Sequence, residues 1–230
     1  PLPGSAANQE DDQEDERRTG PVTTRRMTPP RGPVIPSMEA TKAVNFHRKD
    51  ALVVSTSSAL REWSQVSERR DLDIDLSDCM DRAPAVGLGL ALAQPEGKVL
   101  VLDCDSTLRT NLGGLATIGE SNPENLVHFV FDDVSSASTS GLPIRELDNL
   151  DLAQIALSSG YAKAYEFDKL EEFLIGLEDV MRQIGPVFVR VKVFRDGEPP
   201  PFPERTMAQG WAEVRANLSA ANKERAGEPE

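Results

Sequence analysis

Four short stretches of this chain are apolar almost throughout: Ala51–Ser55 (ALVVS), Val99–Asp103 (VLVLD), Leu126–Phe131 (LVHFVF) and Val187–Val193 (VFVRVKV). Runs of this length, rich in β-branched residues, predict strands buried on both faces, because a strand with one wet face alternates polar and apolar side chains. Helix-length segments stand between them: Ser58–Ser67, Ala83–Ala93, Leu112–Ser121, Leu152–Ser159 and Lys169–Ile184. The last leads through Gly185-Pro186 into the final strand. Doubly buried strands that alternate with helices predict an α/β fold: a doubly wound parallel sheet with helices on both faces. No internal repeat is visible.

Composition sets the limits of this domain. Apolar residues make up 39% of the 230, with 16 glycines and 17 prolines, as expected of a folded centre diluted by flexible ends. Residues 1–37 are charged, then Pro/Arg-rich, and predict a disordered tail, because they cannot bury enough surface to offset ordering entropy. The folded domain is expected over 38–218, with a second flexible tail over 219–230. A docking role for the acidic N-terminal tail stays open beside that of a solvated extension. No apolar run approaches the roughly 18 residues of a membrane span, and no secretory leader is visible. The expectation is a cytoplasmic protein without a membrane partner. The formal charge of −13 disfavours nucleic acid. Cys79 and Cys104 form no metal or disulfide pattern and are expected to be buried free thiols.

Ligands of such sheets bind beyond the carboxyl ends of the strands. The loops there are Ser55–Leu60, Ser77–Asp81, Asp103–Thr107 and Asp132–Gly141, each rich in Ser, Thr, Asp or Cys. One strand–helix–strand unit brings Asp105 and Asp133 side by side. Two hard oxygen ligands at adjacent strand ends suit Mg²⁺ beside a diphosphate; capping of the following helices explains the same residues equally well.

The segment VLVLDCDSTLRTNLGGLATIGESNPENLVHFVFDD resembles the diphosphate-binding domain of thiamine-diphosphate-dependent sulfopyruvate and phosphonopyruvate decarboxylases, as a β subunit or C-terminal half. Asn111-Leu112-Gly113, Leu115-Ala116-Thr117, Asn125-Leu126-Val127-His128, Ser138-Thr139 and Gly141 match the family pattern outright. GLGLALAQPEGKVLVLD, LDLAQIALSSGYAKAYEFD, GPVFVRVKV and PPPFPERT follow in family order. The resemblance implies metal ligation by Asp105, Asp133 and the Ser135 carbonyl. It implies cofactor contacts from Thr56, Ser57, Cys79, Met80, Cys104, Ser106, Thr107, Asn111, Ser138 and Thr139, with the diphosphate near Leu108–Leu112. The cofactor would supply the carbanion chemistry of a carboxy-lyase. The Glu that activates it belongs to a separate domain, so the resemblance also implies a pyrimidine-side (α-type) partner chain, a higher oligomer and a small 2-oxoacid substrate.

Departures from the pattern cluster at the cofactor. Family glycines are Cys104 and Ser106 here; Gly-Ser-Met-Gly reads Asp78-Cys79-Met80-Asp81; Thr-Gly reads Thr56-Ser57; Asp-Asn-Gly reads Asp132-Asp133-Val134. Glycine at such places permits positive φ and close approach to phosphate. Two readings follow: a subunit active with Mg²⁺ and thiamine diphosphate, and a degenerate, non-catalytic partner or scaffold of the same fold. A third comes from another class. Asp103-Cys104-Asp105-Ser106-Thr107 also fits the start of haloacid-dehalogenase-type phosphatases, with Asp103 as nucleophile and Asp105 as acid/base. His128, Trp63 and Trp211 read as packing residues. Arg61 and Glu62 match family positions near the cofactor loop and fit surface charges equally well.

Overall fold

The computed structural model describes residues 34–133, 150–195 and 197–226. In chain order the elements are β1 (Ile35–Pro36), α1 (Ser37–His47), β2 (Leu52–Thr56), α2 (Ser57–Val66), β3 (Asp73–Leu76), α3 (Ala83–Ala93), β4 (Val99–Cys104), α4 (Asp105–Thr110) and α5 (Gly113–Ser121). Then come β5 (Leu126–Asp133), α6 (Leu152–Ser158), β6 (Lys163–Phe167), α7 (Leu170–Arg182), β7 (Val187–Phe194) and α8 (Met207–Ala226). Every strand pairing among the described residues is parallel. The sheet runs β3-β2-β4-β5-β7, and the far edge of β7 is shared: β6 pairs with its first five residues and β1 with Val193 and Phe194.

The strands sort their side chains by parity, as a pleat requires. From β4, Leu100, Leu102 and Cys104 enter one core with Val53, Phe129, Phe131, Val189 and Val191. Helices α1, α2 and α7 close that side through Ala40, Val44, Trp63, Phe173, Leu177 and Val180. Val99 and Val101 enter the opposite core with Val54, Leu126, Val130 and Phe188, beneath α3, α5 and α6. The doubly wound sheet with helices on both faces is therefore present. Close packing of α5 depends on Gly119, where a Cβ would lie 1.8 Å from the Ser159 carbonyl oxygen.

The boundaries differ from the sequence expectation at both ends. Among the described residues the first element is β1 at Ile35, before the expected start at residue 38, and α8 is helical to Ala226, past the expected tail boundary at 219. Strands β3 and β6 and helices α1 and α4 were not expected. β3 reads DIDL, and its buried Asp73 and Asp75 are answered by arginines from three places in the chain, Arg48, Arg70 and Arg205. Trp211 is 37% exposed, so only Trp63 fits the packing role expected of both. Cys79 is half-buried rather than buried, with its Sγ 3.9 Å from Met207 Sδ.

Candidate functional site

From β2 the chain winds outward to β3, then returns to β4 and winds the other way, so the sheet's topological switch point lies between β2 and β4. Helices on either side of such a point leave a crevice beyond the strand ends, where ligands of open α/β sheets bind. The carboxyl ends that meet there carry Thr56-Ser57 on β2 and α2, Cys104-Asp105 on β4 and α4, and, one strand further, Asp132-Asp133 on β5. Cys104 is in register with Phe131, so Asp105 follows directly beside Asp132.

Asp105 is 5% exposed and begins α4. Burial, reinforced by the negative charges of Asp132 and Asp133 and only partly offset by Arg109, pushes its carboxyl up to about 6. The neighbours on β5 are each held by an arginine. Asp132 accepts from Arg190 Nε at 2.7 Å, and Arg190 also binds Glu166 on β6 at 2.8 Å. Asp133 accepts from Arg195 Nη1 at 2.6 Å, and Arg195 Nε donates to Glu62 at 3.0 Å. Glu62 is in turn fixed by Ser37 Oγ at 2.5 Å and Thr41 Oγ1 at 3.2 Å, both on α1. Burial works against the Arg195 charge, but the Glu62 and Asp133 carboxylates counter it and hold its pKa above the usual guanidinium value.

Several polar atoms around these tips are buried without a hydrogen-bond partner among the described residues: Ser57 Oγ, Arg109 Nε and Nη1, and Arg195 Nη2. Arg109 Nε lies 3.5 Å from Asp105, close enough for charge attraction but too far and misaligned for a hydrogen bond. All of these groups can donate, and unmet buried donors are costly unless an acceptor arrives. Ser57 has φ of +54°, the left-handed region that glycine adopts without strain. The backbone at this family glycine position thus keeps the glycine conformation although the residue is serine. Cys104 is different: its φ of −116° is ordinary extended backbone. Its Sγ lies 3.0 Å from Ser58 Oγ, bridging the switch point, and burial raises the thiol's pKa, which keeps it neutral and unreactive.

The remaining sequence-derived site residues are mostly spent on structure. Thr56 Oγ1 donates to the carbonyls of Leu76 and Met80, and Asn111 Nδ2 donates to that of Asp81, so both pin the turn containing Cys79 and Met80. Thr107 Oγ1 bonds Asp103 and the Cys104 carbonyl. Ser106 is half-buried at the start of α4. Ser135, Ser138 and Thr139 lie outside the described residues. Asp103 is fully buried, accepting from Cys104 N and Thr107 Oγ1, with His128 Nε2 at 3.4 Å from its other oxygen. A phosphatase nucleophile must reach substrate, and Asp103 cannot. His128 is buried, with Nδ1 3.1 Å from Tyr161 Oη, in keeping with a packing role.

Sequence reasoning missed Arg190 and Arg195 altogether. The signal was faint: Arg195 follows β7, which pairs with β5 so that Val193 lies beside Asp133. Glu62 turns out to be buried in the Arg195 network, while Arg61 bonds the Pro199 carbonyl and lies 5.0 Å from the Phe202 ring. Two carboxylates, Asp105 and Asp133, do come together as a metal would require, yet Asp133 is already engaged by a guanidinium. Among the described residues no three His, Cys, Asp or Glu side chains converge as a metal cage. The unmet donors fit an anionic diphosphate, and Asp105 and Asp133 are the described residues that would face a divalent metal beside it.

Comparison with known proteins bears directly on this site. Residues 55–191 match the family model of the thiamine pyrophosphate enzyme C-terminal TPP binding domain. Phosphonopyruvate decarboxylase of Streptomyces viridochromogenes is 34% identical over 146 residues, which cover 63% of this chain and 36% of that protein. Sulfopyruvate decarboxylase subunit beta of Methanothermobacter thermautotrophicus is 38% identical over 50% of this chain and 58% of its own length. The corresponding subunit of Methanocaldococcus jannaschii is 33% identical, over 56% and 67%. The match thus spans about a third of the length of the Streptomyces relative. A solved candidate thiamin diphosphate-dependent enzyme from Mycobacterium smegmatis superposes with a TM-score of 0.60 over 70% of this chain and 32% of its own, at 16% identity, which shows the shared fold.

Proposed function

Because the chain belongs to the thiamine pyrophosphate enzyme family, through its C-terminal TPP binding domain, we propose that it is the diphosphate-side subunit of a 2-oxoacid decarboxylase-like assembly. It acts in the cytosol on a small 2-oxoacid and is completed by a pyrimidine-side partner chain. The observation that carries the reading is the set of buried, unmet donors on Ser57, Arg109 and Arg195 around the strand tips of a TPP-binding domain. An anion seated there gives each an acceptor, and a guanidinium suits diphosphate oxygens through its planar fork of N–H groups.

When bound, thiamine diphosphate supplies the carbanion stabilisation that loss of CO₂ from a 2-oxoacid requires. This chain's own residues bind and orient. Ser57, in its left-handed conformation, starts α2 at the end of β2 beside the switch point, with its hydroxyl buried and unpartnered among the described residues. Thr56 and Asn111 hold the Cys79–Met80 turn at one side. The Asp103–Thr107–Cys104 hydrogen bonds fix the start of α4, and with it Asp105, at the other. The names of the β-subunit relatives support a two-chain arrangement.

Mg²⁺ belonged to the sequence expectation through Asp105, Asp133 and the Ser135 carbonyl. Asp105 and Asp133 would hold that metal from this chain's described residues, with Asp133 also accepting from Arg195. The reading of a non-catalytic partner draws support from one observation, the Cys104 side chain bridging to Ser58 across the switch point. Isothermal titration of thiamine diphosphate into the chain purified with its partner decides between them. Saturable heat that is weakened by Ser57→Val supports the proposal, and no heat at millimolar cofactor overturns it.

A further inference from the structure

We infer that His128 is a positioning residue of the strand-tip site: its ring links the Tyr161 hydroxyl to one oxygen of Asp103, and the other oxygen of Asp103 ties down the start of α4. The inference rests on the proposed reading of that site and names a buried side chain that keeps it in shape.

Three polar side chains lie together in the core beneath α3, α5 and α6. Asp103 shares a face of β4 with Val99 and Val101, and His128 on β5 is in register with Val101. Asp103 and His128 are fully buried, and Tyr161 is 4% exposed. The His128 and Tyr161 rings stand edge-on to Phe188, with centroids 5.5 and 5.8 Å from it. Packing alone does not call for this set, because a buried polar group is costly unless it finds a partner. Here each finds one in the next.

The chemistry of the three groups sets the direction of their hydrogen bonds. A carboxylate only accepts. His128 Nε2, 3.4 Å from Asp103 Oδ2, therefore carries the ring proton. That leaves Nδ1 as the acceptor for the Tyr161 hydroxyl at 3.1 Å. Burial and the Asp103 charge raise the pKa of that hydroxyl well above its usual value, so it keeps the proton it donates. Among the described residues His128 is the hydrogen-bond partner of Oδ2, while Oδ1 accepts from Cys104 N at 2.8 Å and from Thr107 Oγ1. Both donors belong to the turn that starts α4 and carries Asp105. Tyr161 is itself anchored. Its N–H donates to the Ala156 carbonyl at 3.1 Å, and the preceding Gly160, at φ +102°, lies against α5, where a Cβ would be 3.1 Å from the Gly119 backbone. The brace thus runs from the turn after α6, across β5, to the tip of β4.

Amide hydrogen exchange of the full chain tests this, with two variants that place the same amide group differently. The side-chain nitrogen in His128→Gln reaches as far as Nε2 and faces Asp103; that in His128→Asn reaches only as far as Nδ1 and faces Tyr161. His128→Gln should exchange like the wild type. His128→Asn should exchange at least about tenfold faster at the Cys104 amide and through α4, with α7 on the other face of the sheet unchanged, since a lost hydrogen bond to a charged group opens that turn locally. No acceleration in His128→Asn, equal acceleration in both variants, or acceleration across the whole chain overturns the inference. If His128→Asn does not fold, ¹⁵N NMR of the wild-type ring decides: a proton on Nε2 upholds the inference, and a proton on Nδ1 alone overturns it. A titration of thiamine diphosphate into the partnered chain separates this from the functional reading. Affinity retained in His128→Gln and weakened at least about tenfold in His128→Asn supports both. Wild-type binding that the two variants change alike, or not at all, overturns the positioning role alone. No heat in the wild type overturns the functional reading and leaves hydrogen exchange to judge His128.

Discussion

Asp73 and Asp105 are both buried carboxylates beside arginines, and the protein treats them differently. Asp73, at the start of edge strand β3, accepts from Arg48 at 2.7 Å, Ser67 at 2.5 Å and Arg70 at 3.1 Å. Asp105, at the tip of β4, has Arg109 at 3.5 Å without a hydrogen bond, two like charges next to it and a carboxyl pushed up to about 6. In the first cluster both Asp73 oxygens have donors within the chain, although Arg48 Nε and Asp75 Oδ1 are buried there without a hydrogen-bond partner. The cluster lets a strand with inward-facing acids sit at the sheet edge, a device that also discourages edge-to-edge association. In the second, Asp105 is flanked by like charges and has only the distant Arg109 to offset them. The contrast is between a carboxylate whose oxygens are both met by donors and one held among like charges.

The largest expected effect comes from the Asp73 cluster. Arg48→Met removes the most deeply buried charged donor of Asp73, leaving Ser67 and Arg70, and should cost about 3 kcal/mol in urea unfolding; a loss under about 1 kcal/mol would break the comparison, being no more than a surface pair is worth.

Next is Asp105→Asn. An acid whose folded pKa lies above its unfolded value keeps its proton longer when folded, so stability falls as pH rises from the unfolded pKa through the folded one and is level above that. Asp105 therefore costs stability above about pH 6. Asp105→Asn should raise stability by about 2–3 kcal/mol at neutral pH and by almost nothing below about pH 4. A gain independent of pH would point to packing instead. Ser57→Gly should relieve the left-handed serine and stabilise the chain by about 1 kcal/mol, read as a rise in melting temperature. Arg109→Met should change unfolding by less than about 1 kcal/mol, since it forms no hydrogen bond to lose. A cost equal to that of Arg48→Met would erase the distinction between the two sites.

Much of this contrast was legible in the sequence, and its reasons are local. β4 and β5 announce themselves because strands buried on both faces must be apolar along most of their length, and Asp105 and Asp133 follow from strand ends brought together by one crossover. β3 was hidden because DIDL carries charge that becomes acceptable only with Arg48, Arg70 and Arg205 in place, and Arg205 lies far along the chain. α4 escaped notice because one and a half turns carry no period, and β6 because KAYEF is half-exposed at an edge. Arg195 was invisible for a related reason: its role depends on β5 and β7 being neighbours in register, which no motif encodes. The glycine positions show the limit of pattern matching. Cys104 sits on ordinary backbone, whereas Ser57 keeps the glycine-like conformation.

The convergence of the β4 and β5 tips is tested most directly by a ¹³C NMR titration of the Asp105 carboxyl in the full chain. A midpoint near 6 that moves toward the ordinary carboxylate range in Asp132→Asn is the predicted result. A midpoint near 4 in the wild type, unmoved by that substitution, would mean that the two strand ends do not share one site.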